Sequence, residues 1–421
     1  MTVEKQMTAG EKPLSPFSRL FSLPGRDCFN IITIGSKNEC NPIVIVEGLK
    51  NTLINHPRFS SILDTGNGEH KGKAKWVRTQ VNVEEHVIIP EIDPNIENPD
   101  QFLEDYTSSM AVTPMDKSKP LWEFHLLKMK TSHHSLGDGM SLMSLLLACT
   151  RKTCDPEAFS TFVVASTKRS ASATINTCWF WSMVAWFWYI VRVIFHTCVG
   201  VFKSMVMACF GGDTSSLLMG KSGATLCPNK FIHRIISLED VKFVLNAMNA
   251  DLAKMMAKGS KFRWGNSMGY VTFPLWMKSE NDILEYIRRA KATMDRKKLS
   301  LEPLFSYALL KFIMEVFGIK ALNIFMKRIF GRSTMVFSNV IGPTEEISYF
   351  DHQISYIAAT SIGLPQVLTV NIQSYVNKVI FNLGVDLVVI SDPHHLCDLI
   401  FEALRMMKTV AAENTCCDSY A

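Results

Sequence analysis

His133-His134-Ser135-Leu136-Gly137-Asp138-Gly139 carries the sharpest chemical signal in this chain of 421 residues. Histidine is neutral near cytosolic pH, so it can take a proton from an attacking hydroxyl group. A carboxylate four residues on can fix the loop or the ring, and the glycine beside it lets a ligand approach the backbone. A surface pair of histidines is the plain alternative. A metal site made of His133, His134 and Asp138 is disfavoured, because adjacent histidines diverge and no third histidine or cysteine follows at ligand spacing.

Upstream of the motif, Pro114 and Pro120 break the chain before an extended run from Leu121 to Met129 that leads almost directly into the histidines. Asp100 to Met110 before it carries a helical stripe of Phe102, Leu103 and Tyr106. Ile31 to Gly35, Ile43 to Val46 and Trp76 to Val83 are rich in β-branched residues and predict strands, whereas Glu47 to Asn55 has helical spacing. Downstream, Ser141 to Thr150 predicts an apolar helix. Asp282 to Arg296, Leu304 to Phe317 and His394 to Ala411 predict further helices, and Thr334 to Asn339, Val367 to Tyr375 and Lys378 to Asp386 predict strands. The fold class is mixed α/β.

Between Thr177 and Phe210 only Arg192, His196 and Lys203 interrupt an apolar run whose first half holds Trp179, Trp181, Trp186, Trp188 and Tyr189. A spanning helix needs about 20 apolar residues, and tryptophan and tyrosine favour the headgroup region, so the run predicts a segment that spans or lies in a bilayer. A buried linker between two domains is the plain alternative. The expected organisation is an N-terminal domain over 1–165, this segment within 166–225, and a C-terminal domain over 226–421.

Composition agrees with a folded, lipid-contacting chain: 47% of residues are hydrophobic, 20% are charged, and the mean hydropathy is +0.11. The formal charge of +5 comes from 44 basic and 39 acidic residues scattered along the sequence, which excludes a nucleic-acid arm. The cluster Arg288, Arg289, Lys291, Arg296, Lys297 and Lys298 is either a solvated face or a site for coenzyme A phosphates or anionic headgroups. Eleven cysteines without CxxC pairs, and a polar Met1 to Pro13, point to reduced thiols in a chain facing the cytosol.

The HHxxxDG pattern is shared by the chloramphenicol acetyltransferase-like superfamily, and the flanks narrow it. Pro13-Leu14-Ser15-Pro16-Phe17, His56-Pro57-Arg58-Phe59-Ser60-Ser61, Lys119-Pro120-Leu121-Trp122-Glu123, Arg263-Trp264-Gly265-Asn266, Ser338-Asn339-Val340-Ile341-Gly342-Pro343 and Ile390-Ser391-Asp392-Pro393 resemble, in order, the plant wax ester synthase/diacylglycerol acyltransferases. The DFGWG motif of the cytosolic HxxxD acyltransferases is absent, which disfavours a soluble enzyme for phenolic or amine acceptors.

The resemblance implies a chloramphenicol acetyltransferase-like architecture of two sheet-and-helix domains around a channel. It implies acyl-CoA as co-substrate, no bound cofactor, and a fatty alcohol or diacylglycerol as acceptor, at the cytosolic face of the endoplasmic reticulum membrane or the plasma membrane. His134 matches the general base, His133 its neighbour, and Asp138 a structural carboxylate. Gly139, Pro120, Leu121, Trp122, Asn339 and Gly342 match substrate-binding positions. Spacing alone favours a core aromatic for Trp122, and a turn after a strand for Asn339 and Gly342-Pro343.

Two junctions depart from the family. Met129 to Ser132 joins the Pro-Leu-Trp strand directly to the histidines, where relatives have a hairpin and a second strand. Asn249 runs through Ala250-Asp251 into Leu252, where relatives have a helix and later a strand. The first departure predicts an unpaired sheet edge beside the motif, at about 1 to 3 kcal/mol for each buried backbone group left without a partner. It also raises a second reading, a lipid-binding or partner-binding member with impaired catalysis.

Overall fold

The computed structural model describes residues 11–13, 16–21, 23, 28–64, 75–93, 95–113, 115–127, 133–136, 150–152, 155–159, 179–209, 229–247, 270–274, 282–331, 333–363 and 366–418. In chain order these form β1 (Glu11–Pro13), α1 (Pro16–Phe21), β2 (Phe29–Ser36), α2 (Pro42–Asn51), β3 (Ser61–Asp64), β4 (Lys75–Arg78), β5 (Val87–Ile88) and α3 (Pro99–Val112). Next come β6 (Phe124–Leu127), β7 (His133–Leu136), β8 (Thr150–Lys152), β9 (Asp155–Phe159), α4 (Trp179–Cys209), β10 (Asn229–Ser237) and α5 (Leu238–Ala247). The C-terminal part holds α6 (Ile283–Lys298), α7 (Glu302–Phe330), β11 (Met335–Val340), β12 (Ile347–Tyr349), β13 (His352–Ile362), β14 (Leu368–Tyr375), β15 (Lys378–Asp386) and α8 (Pro393–Asp418).

The strands build a large sheet in the order β5-β6-β7-β2-β13-β12-β8-β9, a second sheet β10-β15-β14-β11, and a small one, β1-β4-β3. The fold class is therefore the expected mixed α/β. Two strands of the large sheet, β12 and β13, come from the C-terminal half and pair with strands of the N-terminal half, so the expected partition at 166–225 is crossed by the sheet itself.

Ile43 to Val46 is helical, against the strand its β-branched residues predict. Pro42 occupies the first turn, where a missing N–H costs nothing, and the Asn41 side chain accepts the backbone N–H of Ile43 at 3.0 Å. The cap fixes the helix start, and tertiary burial of Ile45 and Leu49 overrides the local preference. The α2 core side packs with Ile32, Ile34, Phe124, Leu126, Ile357 and Ile380 in one apolar cluster.

β12 and β13 form a hairpin whose two turn residues, Phe350 and Asp351, have φ of 45° and 65°. Both signs are those of a type I′ turn, the geometry that follows strand twist. Phe350 compensates by packing over Gly48, where a Cβ would lie 2.4 Å from its ring. Asp351 is exposed and has no such compensation.

The two larger sheets meet across β13, α3 and β10. His233 on β10 is half-buried, stacks on Tyr356 of β13 with ring centroids 5.7 Å apart, and has its pKa lowered by desolvation. A charged group ties α3 to β10 and α8 beside it. Buried Glu104 faces His394 at 3.2 Å, Lys230 at 3.6 Å and Arg234 at 3.8 Å, while Lys230 also bonds Asp105. Burial raises the Glu104 pKa more than these cations lower it. The Arg234 guanidinium donates to His394 Nδ1 at 3.1 Å, which leaves the other ring nitrogen to carry the proton toward Glu104.

Two outcomes are expected. Asp351→Gly removes the left-handed strain and should raise stability by about 1 kcal/mol, read as a higher urea midpoint at unchanged slope. Desolvation lowers the His233 pKa in the fold below its unfolded value, so its contribution is absent above the unfolded pKa. It becomes destabilising as pH falls below the ordinary histidine range, at up to about 1.4 kcal/mol per pH unit. The urea midpoint should drop between about pH 7 and 5, and His233→Gln should flatten that drop.

Candidate active site

The motif's first four residues are β7, the strand that joins β6 to β2. His134 stands opposite Ile34 on β2 and Leu126 on β6, and His133 stands opposite Gly35 and Leu127. Ser135 lies between Thr33 and His125. The expected unpaired edge is thus absent from this part of the sheet. Only five residues separate β6 from β7, a hairpin length, and the motif itself takes the inner-strand position that the sequence reading left empty.

Neighbours set the two rows apart. Ile34, Leu126 and Ile357, in the His134 row, are fully buried members of the apolar cluster. In the His133 row, Gly35 lies under Tyr356, where a Cβ would come within 2.5 Å of the ring. That close approach, rather than backbone conformation, is why a glycine stands at 35.

Asp138 and Gly139 lie outside the described residues, as does the predicted helix over Ser141 to Thr150 except for its last residue, which begins β8. Pro120 is buried, Leu121 half-buried, and Trp122 is 4% exposed. The Trp122 ring N–H donates to the Phe59 carbonyl at 2.9 Å. His86 stacks on the same ring at 4.2 Å and donates its Nδ1–H to the Trp122 carbonyl at 2.7 Å. These contacts fit the plain reading of Trp122 as a core aromatic. They anchor the strand that leads into β6.

Asn339 is an exposed residue of β11, in register with Ile372 of β14. Gly342, just past that strand, donates its N–H to Ser374 Oγ at 3.2 Å, and a Cβ there would meet the Ser374 carbonyl at 1.9 Å. Gly342 therefore sits where two backbones touch. The described strands do not bring Asn339 and Gly342 into register with β7, since they belong to the other sheet.

Two features escaped the sequence reading. The first is a hydrogen-bonded chain in which Glu123 accepts from His125 Nε2 at 3.1 Å, and His125 Nδ1 accepts from the Tyr106 hydroxyl at 2.7 Å. The bond from His125 holds the Glu123 pKa below the usual carboxylate range, and burial raises that of Tyr106. Glu123 and His125 are two residues apart on an extended run, so strand alternation was the signal that puts them on one face. The second is a small, partly open pocket between the sheets, lined by Thr33, Thr107, His233, Ala358, Thr360 and Asn382. No short motif marks it, because it is assembled from strands and a helix distant in sequence.

Among the described residues, no group of three His, Cys, Asp or Glu side chains is arranged to hold a metal ion. Three of the six cations of α6 are hydrogen-bonded to carboxylates of α6, of its N-cap or of α7. Arg288 bonds Asp282 at 2.6 Å, Arg289 bonds Glu285 at 3.1 Å, and Lys297 bonds buried Glu302 at 2.6 Å. This pattern fits the solvated face better than a site for coenzyme A phosphates.

A profile of the WS/DGAT C-terminal domain matches residues 264–408. Wax ester synthase/diacylglycerol acyltransferase 2 of Arabidopsis thaliana is 60% identical, with 98% of each chain covered. Wax ester synthase/diacylglycerol acyltransferase 3 of the same plant is 46% identical, covering 98% of this chain and 96% of its own. The alignments run over 475 and 478 positions against 421 residues here, so at least 54 and 57 aligned positions have no counterpart in this chain.

In fold, the chain is similar to a wax ester synthase/diacylglycerol acyltransferase from Marinobacter aquaeolei VT8, with a TM-score of 0.60 at 15% identity over 95% of this chain and 100% of that one. It is also similar to the first condensation domain of the calcium-dependent antibiotic synthetase, with a TM-score of 0.53 at 10% identity over 96% and 97% of the two chains. With near-complete coverage at 60% identity, the chain belongs to the wax ester synthase/diacylglycerol acyltransferase family.

Proposed function

We propose that this chain moves a long-chain acyl group from acyl-CoA to the hydroxyl of a fatty alcohol or of diacylglycerol, forming wax ester or triacylglycerol, with His134 as general base. His134 takes the hydroxyl proton as the oxygen attacks the thioester carbonyl. The carbon–sulfur bond then breaks, and the proton passes to the departing coenzyme A thiolate. His133 supports the base, Asp138 fixes the loop, and Gly139 leaves room for the substrate. No resident cofactor is required, since acyl-CoA supplies the activated acyl group. The observation that carries this reading is the His133–Gly139 motif in a chain 60% identical to a wax ester synthase/diacylglycerol acyltransferase.

Location belongs to the same proposal. Trp181–Lys203 within α4 is 23 residues long, with a mean hydropathy of 1.6 over an 18-residue window of which only 6% is buried. Its length of about 35 Å suits a hydrocarbon core of about 30 Å. The reading puts the chain at the endoplasmic reticulum membrane, with the plasma membrane as the alternative and the catalytic part in the cytosol.

One observation favours a second reading, a lipid-binding member that no longer turns over substrate. Here the histidines occupy a strand of the sheet, and the position of His134 lies between Ile34 and Leu126, both fully buried. A base that must meet two substrates needs an open channel at its ring.

Radiolabelled acyl transfer to hexadecanol and to diacylglycerol, with full-length protein in membranes, separates the two. His134→Ala should lower turnover by about two or more orders of magnitude with acyl-CoA binding retained. Asp138→Asn should cost stability as well as rate. A parent chain that binds acyl-CoA without transferring it carries the second reading, and equal turnover by parent and His134→Ala would remove His134 as the base.

A further inference from the structure

We infer that α7 supplies a second lipid-facing element beside α4, the apolar stripe of its first limb facing the acyl chains of a phospholipid bilayer. The inference rests on the membrane location proposed above and adds a surface outside the long apolar helix.

The two helices are docked side by side. Thr197 Oγ1 of α4 accepts the backbone N–H of Leu301 at 2.8 Å, in the residue that leads into α7. Gly200 of α4 lies so close to buried Glu302 that a Cβ would come within 2.5 Å of its carboxylate. Val201 and Met205 of α4 face Phe305 and Leu309 of α7 across a shallow, mostly apolar groove.

On the neighbouring side of α7, Leu304, Phe312 and Val316 are 67%, 54% and 57% exposed. With exposed Ala308 they recur every four residues, which stacks them in one stripe along the helix. Phe305 belongs to both sides, lining the groove with α4 while 42% exposed. The ion pair Lys311–Glu315 borders the stripe on its far edge. Leu310 and Ser306 turn the opposite way, into the protein.

Gly318 ends this limb. Its φ of 79° and ψ of 178° break the helix in a region that only glycine enters without strain, and an added Cβ there would meet nothing within 4 Å. The break therefore reflects the backbone rather than crowding. The limb Glu302–Phe317 is about 24 Å long, too short to cross a bilayer core by itself. Lipid packed around α4 reaches the stripe directly, because the stripe adjoins the face on which α4 docks. That continuity selects a bilayer over a protein partner.

The test uses the full-length chain on phosphatidylcholine vesicles that contain a tracer phosphatidylcholine with a diazirine on its acyl chain. After photolysis, adducts are mapped to peptides. Adducts are expected on α4 and on Leu304–Val316, and none on the 399–408 stretch of α8, where Leu399 and Met406 are also apolar and exposed but the helix packs on α5, α6, β10 and β15. The combined variant Leu304→Ser, Phe312→Ser, Val316→Ser should lose the α7 adducts and keep those on α4, with unchanged helical circular dichroism. Adducts on α4 without α7, or on α7 no more than on α8, overturn the inference and leave the membrane location standing. Adducts on neither helix overturn both.

Discussion

The large sheet depends on four residues. β2 pairs on one side with β13, β6 pairs on one side with β5, and the gap between them is bridged by His133 to Leu136 alone. Each buried N–H and C=O in that gap needs a partner, and an unpaired one costs about 1 to 3 kcal/mol. Leaving the gap open would strip several such groups on both flanking strands. The pull on the chain after β6 is therefore strong, and the shortest available segment, reached through a five-residue connection, fills it.

This constraint explains what the sequence disclosed and what it hid. The family-like flanks, the runs Val367 to Tyr375 and Lys378 to Asp386, and the stripe of α3 were legible, because alternation and helical spacing there agree with the tertiary burial. β7 was not legible. Its four residues carry no strand propensity to speak of, and their state is set by two neighbours distant in sequence. The hairpin of β12 and β13 was missed for a related reason: its turn uses Phe350 and Asp351 at positive φ instead of the Asn-Gly signal. Ile43 to Val46 misled in the opposite direction, since four β-branched or apolar residues outweighed, on paper, the Asn41-Pro42 helix start.

Of the candidate site, the sequence disclosed the motif but not its surroundings. The polar layer around it is assembled from α3, β6, β10 and β15, so no contiguous stretch announces it. That layer is also where the two sheets are tied. Glu104 reaches three cationic or protonatable partners on β10 and α8, and Asn382 donates to the Ala359 carbonyl at 2.9 Å, joining β15 to β13. Such bonds are directional, so they fix the relative setting of the sheets more tightly than apolar packing alone.

Folding and chemistry thus draw on the same residues in different ways. The pairing that closes the large sheet uses the backbone of His133 to Leu136, and a backbone bond is indifferent to the side chain that carries it. The proposed chemistry uses the imidazole and asks for a path open to both substrates. Strand pairing fixes the register, and register decides which row of the sheet each histidine joins, since a shift by one residue exchanges the two faces. In this chain the row of His134 is the row of Ile34, Leu126 and Ile357, and that of His133 is the row of Gly35 and Tyr356. The length of the connection before the motif, rather than the motif itself, accordingly decides which row of the sheet each histidine joins.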